Sequence, residues 1–244
     1  MMTETKVVKK ILPSIKKTHK ITRESLTDGS VARMASERDG ESTMVVSDED
    51  LIKSRQQFFP DDSDCNDIWV FGYGSLVFNP VMKHSERLFA RVYGHHRRFC
   101  LWTQIGRGSP EFPGLVLALD KGGSCPGVAF KLPYDDAIAE LDLLWKREMI
   151  TLAYRPRWLK LHTADGIKRG IGFVVDPERP VFAPRMTFDE TAHVIANAEG
   201  FLGPCRDYLF NTLQGLQELG ISDPAMEKLA VKVEHKLASS DHIR

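Results

Sequence analysis

Ile68-Trp69-Val70-Phe71-Gly72-Tyr73-Gly74-Ser75-Leu76 opens with four consecutive apolar residues and closes on two glycines around a tyrosine. A short continuous apolar run fits a strand buried on both faces, and the glycines mark a tight turn at its end. Extended patterns follow over 88–102, then in Leu115-Val116-Leu117-Ala118-Leu119 and in Gly127-Val128-Ala129-Phe130-Lys131-Leu132, the last two bridged by the turn-rich 120–126. The period then changes. Across 134–149, Ile138, Leu141, Leu144, Trp145 and Glu148 fall at helical i, i+3 and i+4 steps. Pro133, Asp135 and Asp136 supply the start signals of that helix. Strand patterns return at 157–163 and 168–176, and helical ones at 187–198, 207–219 and 224–237. Strands gathered first and long helices last predict an α+β fold with a curled or barrel-like mixed sheet, not a doubly wound one.

The rest of the chain is different in character. Residues 1–66 are charged, turning from basic (Lys6, Lys9, Lys10, Lys16, Lys17) to acidic (Asp48, Glu49, Asp50, Asp61, Asp62, Asp64). The 27–50 stretch is too polar to bury much apolar surface. We therefore expect a charged, partly disordered and largely irregular tail over 1–66, a folded domain over 67–237 and a short C-terminal tail over 238–244. Val7, Val8, Ile11, Leu12 and Ile15 share a helical face, yet no apolar core of a secretory signal is present, so a solvated tail is favoured over a targeting segment. Phe58 and Phe59 are the pair through which the tail would dock if it folded back.

Composition narrows the function classes. Thirty-three basic and thirty-three acidic residues cancel, so no global field draws in nucleic acid or an anionic membrane. Cys65, Cys100, Cys125 and Cys205 are scattered and form no C-x-x-C pair, which reads as separate reduced thiols. No apolar run nears the ~18 residues of a membrane span. These features predict a cytoplasmic protein with neither nucleic-acid nor membrane partners. They leave the oligomeric state open, a monomer included.

Gly72-Tyr73-Gly74 is not a dinucleotide fingerprint, because Val77 stands where the third glycine belongs, and the same valine excludes a G-x-S-x-G nucleophile elbow at Ser75. The glycines instead let backbone approach a ligand closely and turn successive N–H groups to one side, unless they serve a plain tight turn. Glu148 is the second candidate. A carboxylate on the apolar face of a core helix is costly to bury unpaired, and burial raises its pKa toward the range suited to acid/base work. The bland alternative is a helix-end glutamate paired to an arginine such as Arg155. His95-His96-Arg97-Arg98 lacks a carboxylate or cysteine at ligand spacing, so a basic exposed edge is expected there and no metal site.

Together the two features are more specific. The strand-and-turn of residues 70–76, followed by Leu144-Trp145-Lys146-Arg147-Glu148-Met149, closely resembles the ChaC-type glutathione-specific γ-glutamylcyclotransferases. The likeness continues through Phe112-Pro113-Gly114-Leu115, residues 127–133, Tyr154, Asp176-Pro177 and Tyr208-Leu209. It implies a small mixed β-barrel with flanking helices and a lyase that converts glutathione to 5-oxoproline and Cys-Gly. It further implies Glu148 as the catalytic acid/base, with Val70, Phe71, Gly72, Tyr73, Gly74, Ser75, Leu76 and Tyr154 binding the γ-glutamyl group. No metal, nucleotide or covalent enzyme intermediate is required by that chemistry. One departure stands out: the family usually has Asn where this chain has Cys205, which puts a local hydrogen bond in doubt. Two other readings share the loop: a cyclotransferase for other γ-glutamyl amines, and a non-catalytic γ-glutamyl-binding module. Glu148 in its full motif disfavours the second.

Overall fold

The structure, a computed structural model, describes residues 20–39, 45–60 and 66–241. Its elements in chain order are α1 (Arg23–Thr27), α2 (Ser30–Asp39), α3 (Asp48–Phe58), β1 (Trp69–Gly72), α4 (Ser75–Phe78), β2 (Glu86–Thr103), β3 (Gly114–Lys131), α5 (Ala137–Glu148), β4 (Tyr154–Thr163) and β5 (Gly166–Val175). They are followed by α6 (Phe188–Asn197), the two-residue strands β6 (Glu199–Gly200) and β7 (Gly203–Pro204), α7 (Cys205–Glu218) and α8 (Pro224–Asp241). The strands β1-β3-β2-β4-β5 close into a barrel through the β1–β5 pairing, with an additional β3–β5 pairing. This is the expected α+β class.

The apolar run around residue 69 is explained by its place in the sheet. β1 pairs antiparallel with β3, from Trp69↔Lys131 to Gly72↔Val128, and parallel with β5 at Trp69↔Gly170 and Val70↔Ile171. All four of its residues are buried. Hence it shows no polar alternation. β4 and β5 form an antiparallel hairpin from Tyr154↔Val175 to Thr163↔Gly166, and Leu119↔Val174 adds a parallel contact between β3 and β5.

The described residues group into two compact units, one of 21–98 and 118–182, the other of 20, 99–117 and 183–241. In the first, Trp69, Phe71, Leu119, Leu132, Leu141, Leu144, Trp145, Leu161 and Phe173 are fully buried core. The second is mainly helical. A Thr187–Glu190 capping box starts α6, Asp189 pairs with Lys232 and Lys236 of α8, and Leu209, Leu213 and Leu216 bury one face of α7. The last helix runs on to Asp241, so 238–241 continue it and are not a separate tail.

The segment ahead of residue 67 departs from the irregular tail expected. Its described part carries α1, α2 and α3, each with a buried stripe: Leu26, then Val31 and Ala35, then Leu51, Arg55 and Phe59. Thr22 and Ser47 cap the first and third helices through the backbone N–H groups of Ser25 and Asp50. Average polarity misled because a single stripe spaced by four residues is enough for a surface helix to bury, whatever its other face carries. The expectations for 1–19, 40–44, 61–65 and 242–244, Cys65 among them, lie outside the described residues.

Candidate active site

β1 delivers its chain into the Gly-Tyr-Gly turn at close quarters. A Cβ on Gly72 would sit 2.8 Å from the Phe130 ring and 3.2 Å from Leu76 Cβ, so only glycine fits without displacing them. Tyr73 is buried, and its hydroxyl donates to the Phe173 carbonyl at 2.7 Å. Gly74 then caps the single-turn helix α4, with the Val77 N–H donating to Gly74 O at 3.0 Å and the Asn79 N–H to Ser75 O at 2.9 Å.

A residue misassigned from sequence holds this turn in place. Arg97 is buried, its Nη1 donating to the Tyr73 carbonyl at 2.7 Å and its Nη2 to the Pro126 carbonyl. Arg98 pairs with Asp120 at 2.9 Å. The expected basic exposed edge is therefore wrong: β2 lies between β3 and β4 in a closed barrel and has no free edge there. Along β2 the buried positions shift from even (Ala90, Val92) to odd (Arg97, Phe99, Leu101), with Cys100 buried as well. Gly94, at φ 79°, lies inside that shift. A strand changes parity only where one residue leaves the pleat, and glycine takes the required left-handed conformation readily. Gly94 inside a strand pattern was the available signal.

Glu148 is the last residue of α5, whose Met149 cap donates to the Trp145 carbonyl at 2.9 Å. Its side chain is 11% exposed and Oε1 lies 3.1 Å from Arg147 Nε, an ion-pair distance. No hydrogen bond reaches that oxygen among the described residues. Burial pushes the Glu148 carboxyl above the usual carboxylate range, and the Arg147 charge opposes this without cancelling it. Arg147 is turned inward at 4% exposure and donates to the Asn79 carbonyl as well. Arg155 is not the partner: it pairs with Asp176 at 2.8 Å and Glu178 at 2.7 Å. A buried polar atom left without a hydrogen bond is uncommon, and a catalytic role is one physical reason for it.

Phe173 of β5 is where the separate motifs converge. It accepts the Tyr73 hydroxyl, its ring packs edge-on to Trp145 at 5.5 Å, and Tyr154 meets it at 6.5 Å. The turn after β1, the last turn of α5 and the start of β4 thus share one residue that no motif had singled out.

Comparison with known proteins gives this arrangement a family. The model of the ChaC-like protein family matches residues 68–236. The chain belongs to the ChaC-like family. A glutathione-specific γ-glutamylcyclotransferase of Escherichia coli K12 is 42% identical over 174 residues, covering 71% of this chain and 75% of that protein. γ-Glutamylcyclotransferase 2-3 of Arabidopsis thaliana is 28% identical, covering 72% and 93%. A crystal structure of a glutathione-specific γ-glutamylcyclotransferase from yeast superposes with a TM-score of 0.63 at 24% identity, over 69% of this chain and 96% of that one, a likeness of fold.

In this ChaC-like protein the Cys205 position keeps a hydrogen bond. Its buried thiol donates to the Leu115 carbonyl at 3.1 Å, and burial pushes the thiol up to about 11. Cys100, Cys125 and Cys205 are buried, and none is in a disulfide among the described residues. Among the described residues no group of three or more His, Cys, Asp and Glu side chains could hold a metal ion, and no helix is long and apolar enough to cross a membrane.

Proposed function

We propose that this ChaC-like protein is a cytoplasmic γ-glutamylcyclotransferase acting on glutathione, with residues 67–237 as its catalytic domain and Glu148 as its single acid/base. The observation that carries the assignment is Glu148 Oε1, a buried carboxylate oxygen that no hydrogen bond reaches among the described residues, in a chain of this family. The names of the relatives support glutathione as the substrate.

The substrate's own α-amine is the nucleophile. In its neutral form it attacks the γ-carbonyl and, as the C–N bond of a five-membered lactam forms, passes one N–H proton to Glu148. The tetrahedral oxyanion then expels the cysteinyl nitrogen, which takes the proton back from Glu148. Both reacting groups belong to one molecule, so the protein's task is to hold an attack geometry and move one proton. Residues 70–76 and Tyr154 hold the γ-glutamyl end, and backbone N–H groups of the turn face the developing oxyanion. Arg97, by tying down the Tyr73 carbonyl, fixes the turn's shape.

The deciding assay incubates the full chain with reduced glutathione and separates 5-oxoproline and Cys-Gly by chromatography. We expect both in equal amounts. Rapid turnover of γ-glutamyl amino acids with little of glutathione would move the assignment to the sister activity, and binding without turnover would leave a binding module.

The raised Glu148 pKa has a signed consequence. The fold favours the protonated carboxyl, so between the ordinary glutamate value and the raised one the native state binds more protons than the unfolded chain. Stability from this group is full below that window and declines as pH rises through it. Glu148→Gln does not titrate. Melting curves of the two proteins should approach each other in acid, and the variant should melt higher at neutral pH. An equal offset at every pH would show that Glu148 does not titrate in this way.

A further inference from the structure

The helices ahead of the family-matched region lie along α5 and the loop after α4. Arg23 reaches both: Nη1 and Nη2 bind Glu140 Oε2 and Oε1 at 2.6 and 2.9 Å, and Nη1 also donates to the Val81 carbonyl at 3.0 Å. Arg55 Nε pairs with Asp142 at 2.8 Å, Asp48 with Lys146 at 2.5 Å, and the Val46 N–H donates to the Ile150 carbonyl at 2.9 Å. Phe58 packs between Trp145 at 5.6 Å and Trp158 at 5.4 Å. These contacts run from the first turn of α5 to just beyond Glu148.

Two features show that the core depends on this segment. Glu140 is 1% exposed, and its ion partner is Arg23. A carboxylate buried to that extent is strongly destabilising without a counter-charge, and here the counter-charge comes from outside residues 68–236. Val81 has φ 55°, an outlier for a β-branched residue that needs surrounding structure to hold it. Its carbonyl is held by Arg23, Asn79 Nδ2 donates to Ile21 O at 2.8 Å, and the Lys83 N–H donates to Glu140 Oε2 at 2.9 Å. Asn79 in turn accepts from Arg147, the ion partner of Glu148. Leu26 and Val31 pack with Leu143, Val81 and Ile150 around the same join.

We infer that residues 21–39 and 45–59 form a positioning strap for the catalytic helix, with Arg23 the positioning residue that couples α5 to the 79–83 loop through Glu140 and Val81. The inference rests on the proposed role of Glu148. It replaces the expectation of a largely irregular N-terminal tail. The substrate turn of residues 70–76 is not touched by Arg23, so the strap governs where Glu148 stands and leaves substrate affinity to the turn.

The test uses the full chain. Arg23→Ala should lower kcat about tenfold, the scale of a sub-ångström misplacement of a catalytic group, with KM within about threefold of the parent. Arg23→Lys keeps the charge and one bond to Glu140 and should recover most of the loss. Amide exchange over 79–83 and 137–150 should quicken in Arg23→Ala and stay slow in Arg23→Lys. If Arg23→Ala does not fold, Glu140→Gln, which keeps shape and an acceptor for the Lys83 N–H, should show the same fall in kcat and the same quickened exchange. An unchanged kcat per folded molecule, with only a lower melting temperature, would overturn the inference. So would unchanged exchange in these segments. Should the parent chain not turn over glutathione at all, the proposed function fails, and the exchange data alone still decide whether Arg23 holds α5.

Discussion

Glu148→Gln should lower glutathione turnover by about 10⁴-fold or more, because general acid/base catalysis contributes ~10²–10⁴ and this one side chain is assigned both proton transfers. The amide keeps the volume of the carboxyl and cannot take the α-amine proton. Glutathione should still bind, since the γ-glutamyl group is assigned to residues 70–76 and Tyr154, and calorimetry on the variant should detect it with an affinity close to the parent's. The fold should not suffer. Burial makes the charged carboxylate a liability at neutral pH, and the ion pair with Arg147 only partly relieves it. A variant that retained a tenth of the parent rate would remove Glu148 as the base. One that failed to fold would make it a structural partner of Arg147.

Arg97→Met carries the next largest effect and reads a different part of the site. Methionine fills much of the arginine's buried volume but donates nothing, leaving the Tyr73 and Pro126 carbonyls without their guanidinium donor. Losing charge-assisted bonds to two buried acceptors costs about 2–5 kcal/mol, measurable as a lower denaturant midpoint. The turn would also lose its shape, and a shift of ~1 Å in a positioning group can cost about 10²-fold in kcat/KM. Much of that loss should fall on KM, in contrast to Glu148→Gln. Steady-state kinetics at matched folded fractions separate the two. Arg97→Met with parent KM and kcat would show that the turn keeps its geometry without the guanidinium.

How legible each part was depended on the range of the interaction behind it. The barrel's first strand could be read from residues 68–71, because burial on both faces leaves a run with no polar interruption. Glu148 could be singled out because a carboxylate on an apolar stripe is costly, and that cost is visible within one helical turn. The N-terminal helices were missed because composition over 27–50 averages away the stripe of Val31 and Ala35, and because what they pack on lies about a hundred residues further along. Arg97 was missed for a parity reason: an uninterrupted strand alternation puts it on the wrong side, and Gly94 resets the count.

Within 67–237 the sequence by itself determined most of the strands and helices, the α+β order, and the two short motifs whose chemistry is unusual for their place. Both follow from local rules: hydrophobic period, turn residues, and the expense of a charge on an apolar face. Only the tertiary structure decided who meets whom. It joined Tyr73, Trp145 and Tyr154 at Phe173, sent Arg155 to Asp176 and Arg147 to Glu148, and set Arg23 against Glu140 across 117 residues. Partner choice among charged side chains depends on which pairs barrel closure brings within a few ångströms and out of water, and sequence spacing carries no record of that.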